Sequence, residues 1–322
     1  MGCVAGPYHP VSSPTFLEST SMNSAMNRRS FLRTTSMLGA GIGLAGLGGS
    51  PLLAAALAKG APHAAKLGWR LGPQAYSFNR FTFSEAVDNA ASLGLRVIEA
   101  YPGQKFSKDQ PEAKINENAS SELRKAIQQK LADSGVKLVN YGVCGLPKDA
   151  DQARKVFDFA KEMGIETIVS EPAADAFDTL EKLADEYEIN IAIHNHPKPS
   201  PYWNPDTVLK VCKGRSKRIG ACCDTGHWPR SGLKPIACLK KLEGRIISFH
   251  FKDLNRLGPD AHDVPWGTGA CDVKGMLTEI RRQKVKAVFS IEYEYNWENS
   301  LPEIAQCVKY FDKVAAQLAA QA

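Results

Sequence analysis

From Trp69 onward, short runs rich in β-branched and aromatic residues alternate with longer segments whose apolar positions recur at helical spacing. The short runs cover 71–78, 95–100, 137–143, 166–171, 190–195, 219–224, 245–251 and 287–293. Helical patterns lie between them. Those over 83–93, 120–134 and 150–163 each stop at a glycine (Gly94, Gly135, Gly164), the residue that most readily takes the left-handed conformation closing a helix. Segments 175–187, 205–212, 233–242, 273–283 and 301–319 supply the rest. Strand then helix, eight times in about 260 residues, predicts an α/β protein with one (β/α)8 TIM barrel. A doubly wound open sheet is the competing arrangement. It usually carries a Gly-rich phosphate turn after its first strand, and Gln74-Ala75-Tyr76-Ser77-Phe78 has none.

The N-terminal stretch has a different pattern. Asn27-Arg28-Arg29-Ser30-Phe31-Leu32-Arg33-Thr34 precedes an uncharged run over 36–58 rich in Gly, Ala and Leu, with small residues at Ala54-Ala55-Ala56. A basic pair, a moderately apolar run and small residues are the parts of an export signal, and the pattern resembles a twin-arginine signal. Glycines at 39, 41, 43, 46, 48 and 49 make the run a weak spanning helix, so no stable membrane span is expected after processing. Met22 or Met26 would place the start at a more usual distance from Arg28. The expectation is therefore an export signal with an upstream extension over 1–58, a barrel over 59–322, and a periplasmic location.

Composition adds exclusions. The chain has 322 residues, 43% hydrophobic and 23% charged, which fits a globular protein and excludes a collagen-like, coiled-coil or mostly disordered one. Removing residues 1–58, which hold Arg28, Arg29 and Arg33 against Glu18, takes the net charge from +6 to +4. That bias is too weak to make nucleic acid the partner. Eight cysteines with no C-x-x-C pair support neither a zinc ribbon nor a thioredoxin-like motif, and most sit in apolar stretches as small buried residues.

A barrel gathers its chemistry at the carboxyl ends of its strands. Strand two ends in Glu99, strand four in Glu171 and strand five in His194-Asn195-His196. Strand six ends in Asp224-Thr225-Gly226-His227, strand seven in His250-Phe251-Lys252-Asp253, and strand eight in Glu292. Five of the seven histidines fall between 194 and 262. Carboxylates and imidazoles converging on one mouth form a ligand set for a divalent cation such as Mn, Zn, Co or Mg, which also relieves the repulsion among buried like charges. Alternation along strand five places His194 and His196 on one side and Asn195 on the other. Tyr76, Phe78, Tyr101, Trp203, Trp228, Trp266, Tyr293 and Trp297 follow strand ends or lie in their loops, where aromatic faces can cover the C–H side of a sugar ring. Arg230 and Arg256 could contact an acidic or phosphorylated substrate, but each reads first as a solvated surface arginine.

Asp224-Thr225-Gly226-His227, His250-Phe251-Lys252-Asp253, Val264-Pro265-Trp266-Gly267-Thr268-Gly269 and Ser290-Ile291-Glu292 resemble, in that order, the motifs of the xylose-isomerase-like barrel superfamily. More narrowly they resemble its sugar isomerase/epimerase branch, and the resemblance covers roughly 69–315. It implies one metal ion held by a strand-five acid, the strand-six Asp, the strand-seven His and the strand-eight Glu, of which Asp224, His250 and Glu292 match the last three. It also implies substrate contacts by His227 and Lys252; Trp228 and Trp266, from the aromatics above, are further candidates at the sugar. The Gly267-Thr268-Gly269 loop resembles the turn that shapes the mouth.

Where the epimerases place the strand-five Glu, this chain has His194-Asn195-His196. The fourth ligand is then His196, His194 or Glu171, and the expectation adopted is His196 with Glu171 close by. Epimerisation needs an acid on one face of the carbon and a base on the other, roles the resemblance gives to metal-bound carboxylates. Here Glu292 fills one, and Glu171, His194, His196 or a water the other. One-base chemistry follows as an alternative: aldose–ketose isomerisation, or β-elimination from a 3-keto-glycoside.

Two rivals remain. Apurinic endonucleases of the same superfamily share D-T-x-H but need extra histidines on strands two and three, which are absent here. An exported sugar-binding barrel without turnover is compatible with the lost Glu. The expected partner is a small sugar or keto-glycoside, and a homo-oligomer is compatible with the sequence.

Overall fold

The computed structural model describes residues 60–321. The expected export segment and its candidate start sites lie outside them. The described chain is an eight-stranded, all-parallel sheet in the order β1-β8-β7-β6-β5-β4-β3-β2. The strands are β1 (Arg70–Pro73), β2 (Val97–Ala100), β3 (Lys137–Cys144), β4 (Thr167–Ser170), β5 (Asn190–His194), β6 (Ile219–Asp224), β7 (Ile246–Phe251) and β8 (Val288–Ile291). A parallel bridge between Gln74 and Glu99 joins the two ends of that order, completing the (β/α)8 barrel.

Helices follow the strands where the sequence places them. Phe83–Ser92 starts on a reciprocal cap: Thr82 Oγ1 accepts from the Glu85 amide, and Glu85 accepts from the Thr82 amide. Ser120 and Asp149 cap Ser121–Ser134 and Ala150–Met163 one way only, with their side chains accepting from the third helical amide. No described helix is long and apolar enough to cross a membrane.

Alternation along the strands sorts side chains into two layers. On β7 and β8, Phe249, Phe251, Phe289 and Ile291 face outward into the large apolar layer beneath the helices, where Phe249 stacks on Phe289 with centroids 4.5 Å apart. The intervening positions face into the barrel. Toward its lower end the interior is filled by small apolar groups such as Val97, Val139 and Val288. His250 and Ser290, on the same inward rows, begin the polar end.

The sequence pattern misreads one stretch. An extended strand was expected over 71–78, but β1 ends at Pro73 and Ala75–Phe78 forms a single 3-10 turn. The Gln74 side chain accepts from the Tyr76 amide at 2.6 Å and donates to the Gly142 carbonyl at 2.6 Å, which turns the chain. Ala75 and Phe78 are apolar because they are buried, not because they are extended.

Candidate active site

The carboxyl ends of four consecutive strands build the floor of the mouth. His194 ends β5, Asp224 ends β6, His250 lies one residue inside the end of β7, and Glu292 follows β8. One ligand atom from each lies within 4.8 Å of the others, and all four residues are buried. Asn195 ties the first two strands together, donating to the Asp224 carbonyl at 3.0 Å and accepting from the Asp224 amide at 2.8 Å.

Each imidazole of this group is held from behind by a carboxylate. His250 Nε2 lies 2.8 Å from Glu99 Oε1, and Glu99 Oε2 also accepts from Ser290 Oγ at 2.5 Å and from Asn140 at 3.3 Å. His194 Nδ1 lies 3.0 Å from Glu171 Oε1. This leaves His250 Nδ1 and His194 Nε2, two buried nitrogens without hydrogen-bond partners, facing the cluster. They lie 3.0 Å from Glu292 Oε2 and 3.5 Å from Asp224 Oδ2, respectively. A carboxylate on one ring nitrogen and an open lone pair on the other is how proteins present histidine to a metal ion. Two imidazoles and two carboxylates converging in a buried site fit a divalent cation.

One ammonium is shared among three carboxylates. Lys252 Nζ lies 2.6 Å from Asp224 Oδ2, 2.5 Å from Glu292 Oε2 and 3.0 Å from Glu294 Oε2. Burial disfavours every one of these charges, and the partners outweigh it. The Lys252 ammonium holds both the Asp224 and the Glu292 carboxyls well below their usual range. Asp224, Glu292 and Glu294 raise the Lys252 ammonium well above its ordinary value. Burial pushes the His227 imidazole well below its ordinary value.

His196, expected as the fourth ligand, lies outside the group formed by His194, Asp224, His250 and Glu292 on the floor. The reason is local. β5 ends at His194, and Glu171 Oε1 then captures both the His196 amide at 2.9 Å and its Nδ1 at 2.6 Å, drawing the ring to the rim. The His196 side chain is 48% exposed there. It forms a second group with His194 and His227 that again draws on His194. Glu171, expected as a catalytic carboxylate, has both oxygens engaged, since Ser200 Oγ also donates to Oε2 at 2.6 Å. Burial would raise its pKa, but the bonds from His194, His196 and Ser200 hold it far below the usual carboxylate range.

A cavity of about 300 Å³ lies over the floor, lined by Gln74, Tyr76, Tyr101, Pro102, Val143, His196, His227, Glu292 and Glu294. Tyr76 meets Tyr101 and Trp297 edge-on, with centroids 5.1 and 5.5 Å apart, giving it an aromatic wall. Of the expected substrate contacts, His227 is in this lining, and Lys252 sits just beneath it, bonded to Glu292.

Trp266 and Trp228 are not in the lining, contrary to expectation. Trp266 packs on Phe251 and Phe311 in the layer between barrel and helices, because Phe251 is an outward position of β7. Trp228 is 1% exposed and belongs to the same apolar core. The expected surface position of Arg230 is also wrong. Its side chain is 11% exposed and pairs with Asp263 and Glu294. Arg256 does lie at the surface, bonded to the Asp260 carbonyl.

The Gly267-Thr268-Gly269 turn is fixed by Asp253. Its carboxylate accepts from the amides of Leu254, Gly267, Gly269 and Cys271 at 2.9 to 3.1 Å. Gly267 has φ +82°, and a Cβ there would come within 2.1 Å of Tyr310. Sequence reasoning saw Glu99 only as a strand end. The signal for its role was its inward register beside Asn140 on β3, which makes it a buried carboxylate needing donors.

A family model described as "Xylose isomerase-like TIM barrel" matches residues 87–312. An uncharacterized protein from Parabacteroides distasonis is 32% identical, with TM-score 0.63, covering 76% of this chain and 99% of its own. A D-tagatose 3-epimerase-like protein shares the fold at 16% identity and TM-score 0.61, over 78% of this chain and 99% of its own. The IolI protein, solved with a bound zinc atom, does so at 15% identity and TM-score 0.58, over 77% and 99%. No curated protein matches the chain.

Proposed function

This chain belongs to the xylose isomerase-like TIM barrel family, and from that premise we propose that it is a divalent-metal-dependent sugar isomerase or epimerase that removes a proton from a carbon beside a carbonyl. The observation that carries the proposal is the pair of orphaned nitrogens, His194 Nε2 and His250 Nδ1, aimed with Asp224 and Glu292 at one point beneath the cavity. Those four residues would hold the ion. A bound divalent ion supplies Lewis acidity, lowering the cost of negative charge on the sugar's carbonyl and hydroxyl oxygens.

The chain's own groups do the rest. Tyr76 and Tyr101 cover the C–H face of the ring, and Glu294 binds its hydroxyls. Glu292 lines the cavity and takes the proton from carbon as the enediolate forms. His196 is the second proton carrier. Glu171 faces its Nδ1, so Nε2 is the exchanging atom: it bears a proton and delivers it to the opposite face when Glu292 is the base, and takes one up with its lone pair when the reaction runs in reverse. A histidine held by a carboxylate thereby stands in for the acid that paired-carboxylate epimerases place on strand five. The same substitution favours one alternative, β-elimination from a 3-keto-glycoside, in which a single base removes the proton and the leaving group departs from the neighbouring carbon. We include export through the Arg28-Arg29 segment in the proposal; fractionation of expressing cells tests it.

The test is solvent deuterium entering a panel of keto-sugars and 3-keto-glycosides. Carbon-bound deuterium in a re-isolated or epimerised sugar supports isomerisation, and release of the aglycone supports elimination. Tight sugar binding with neither result would make the barrel a binding protein and overturn the proposal.

A further inference from the structure

We propose that Arg230 is a positioning residue that fixes the tautomer of His227, turning its Nε2–H toward the substrate as a hydrogen-bond donor, and bars it from binding metal. The catalytic consequence rests on the function proposed above; the assignment of the proton does not. A guanidinium carries only N–H donors and no acceptor. The 3.1 Å contact between Arg230 Nη1 and His227 Nδ1 therefore makes Nδ1 the acceptor. An imidazole with its lone pair on Nδ1 bears its proton on Nε2. His227 Nε2 lies 3.4 Å from Asp224 Oδ2, and the ring lines the cavity.

Arg230 is itself held from three sides. Nη2 is 3.2 Å from Asp263 Oδ2, Nε donates to the Ala261 carbonyl at 3.3 Å, and Nη1 is 3.5 Å from Glu294 Oε2. Its place three residues after His227, on the short helix His227–Arg230, puts both side chains on one turn. His194 and His196 have the opposite arrangement, because their Nδ1 atoms face the Glu171 carboxylate and carry the proton. The four histidines of the mouth thus take two tautomers: a carboxylate puts the proton on Nδ1 of His194 and His196 and on Nε2 of His250, and a guanidinium puts it on Nε2 of His227.

Two consequences follow. For His227 to ligate through Nε2, its proton would have to move to Nδ1, against the guanidinium N–H. The group His194, His196 and His227 therefore lacks a third lone pair, and an ion is directed to His194, Asp224, His250 and Glu292. The Nε2–H of His227 is also a fixed donor for an oxygen that gains negative charge, where preorganised donors stabilise the transition state more than the ground state.

Long-range 1H–15N NMR of 15N-histidine protein, with His227 assigned by the spectrum of His227→Gln, tests the idea on the wild-type chain. The expected signature is a proton on Nε2 of His227 and on Nδ1 of His194 and His196. Arg230→Met should move His227 toward the Nδ1–H form and lower kcat up to about 100-fold with little change in KM. Arg230→Lys, which also can only donate, should keep the wild-type tautomer. A wild-type His227 protonated on Nδ1, or an Arg230→Met spectrum identical to wild type, would overturn the assignment. Absence of any turnover with sugars would sink the proposed function and leave the tautomer result standing.

Discussion

The two halves of the barrel mouth use the same residue types for different work. On the β5–β8 half, His194, Asp224, His250 and Glu292 turn their open atoms toward one point. On the β1–β4 half, Glu99 and Glu171 occupy equivalent strand-end positions, yet each is spent on an imidazole from the other half. One half turns open atoms to the mouth and the other aims its rings. The difference comes from what faces each carboxylate across the barrel, which its own strand does not record.

Substitutions can break or sharpen that division. Glu292→Gln, on the presenting half, should lower kcat by about 10³-fold or more while far-UV circular dichroism stays unchanged. Glu99→Gln and Glu171→Gln, on the aiming half, should each weaken metal binding about 10- to 100-fold, read by competition with a chelating dye. If Glu171→Gln removed the metal as completely as Asp224→Asn, Glu171 would be a ligand and the division would fail.

Gly267→Ala should leave metal affinity intact and cost about 1–3 kcal/mol in chemical denaturation, because its Cβ meets Tyr310 and φ is positive. The smallest effect is on pH dependence. Burial pushes Asp263 up to about 7, over the opposing pull of Lys252 and Arg230. A folded value above the unfolded one means the native state keeps a proton the unfolded chain has lost, so stability falls as pH rises from about 4 to 7. Asp263→Asn should flatten that slope, on the order of 2 kcal/mol, in denaturation series at pH 5 and 8.

The barrel was legible because its signals are local and repeated. Gly135 and Gly164 close helices where expected, with φ of 61° and 74°, and the helix Pro205–Cys212 has the expected bounds. Asp224, His250 and Glu292 were legible for the same reason, each lying at or next to the end of its strand. Three things were not. The choice of His194 over His196 depends on where β5 stops and on Glu171 capturing the second ring. The burial of Trp228 and Trp266 depends on which layer their loops fall into. The pairing of Arg230 depends on Asp263 and Glu294, both far away in sequence. Contacts across the mouth are set by the closed sheet, and no periodicity along a single segment encodes them.

The most direct test is anomalous diffraction at the Mn or Zn edge from crystals of metal-loaded protein. The account predicts one ion, bound by His194 through Nε2, His250 through Nδ1, Asp224 and Glu292, with Glu99 and Glu171 still behind the two rings. An ion bound instead by Glu171, or by His196 with His227, would contradict it.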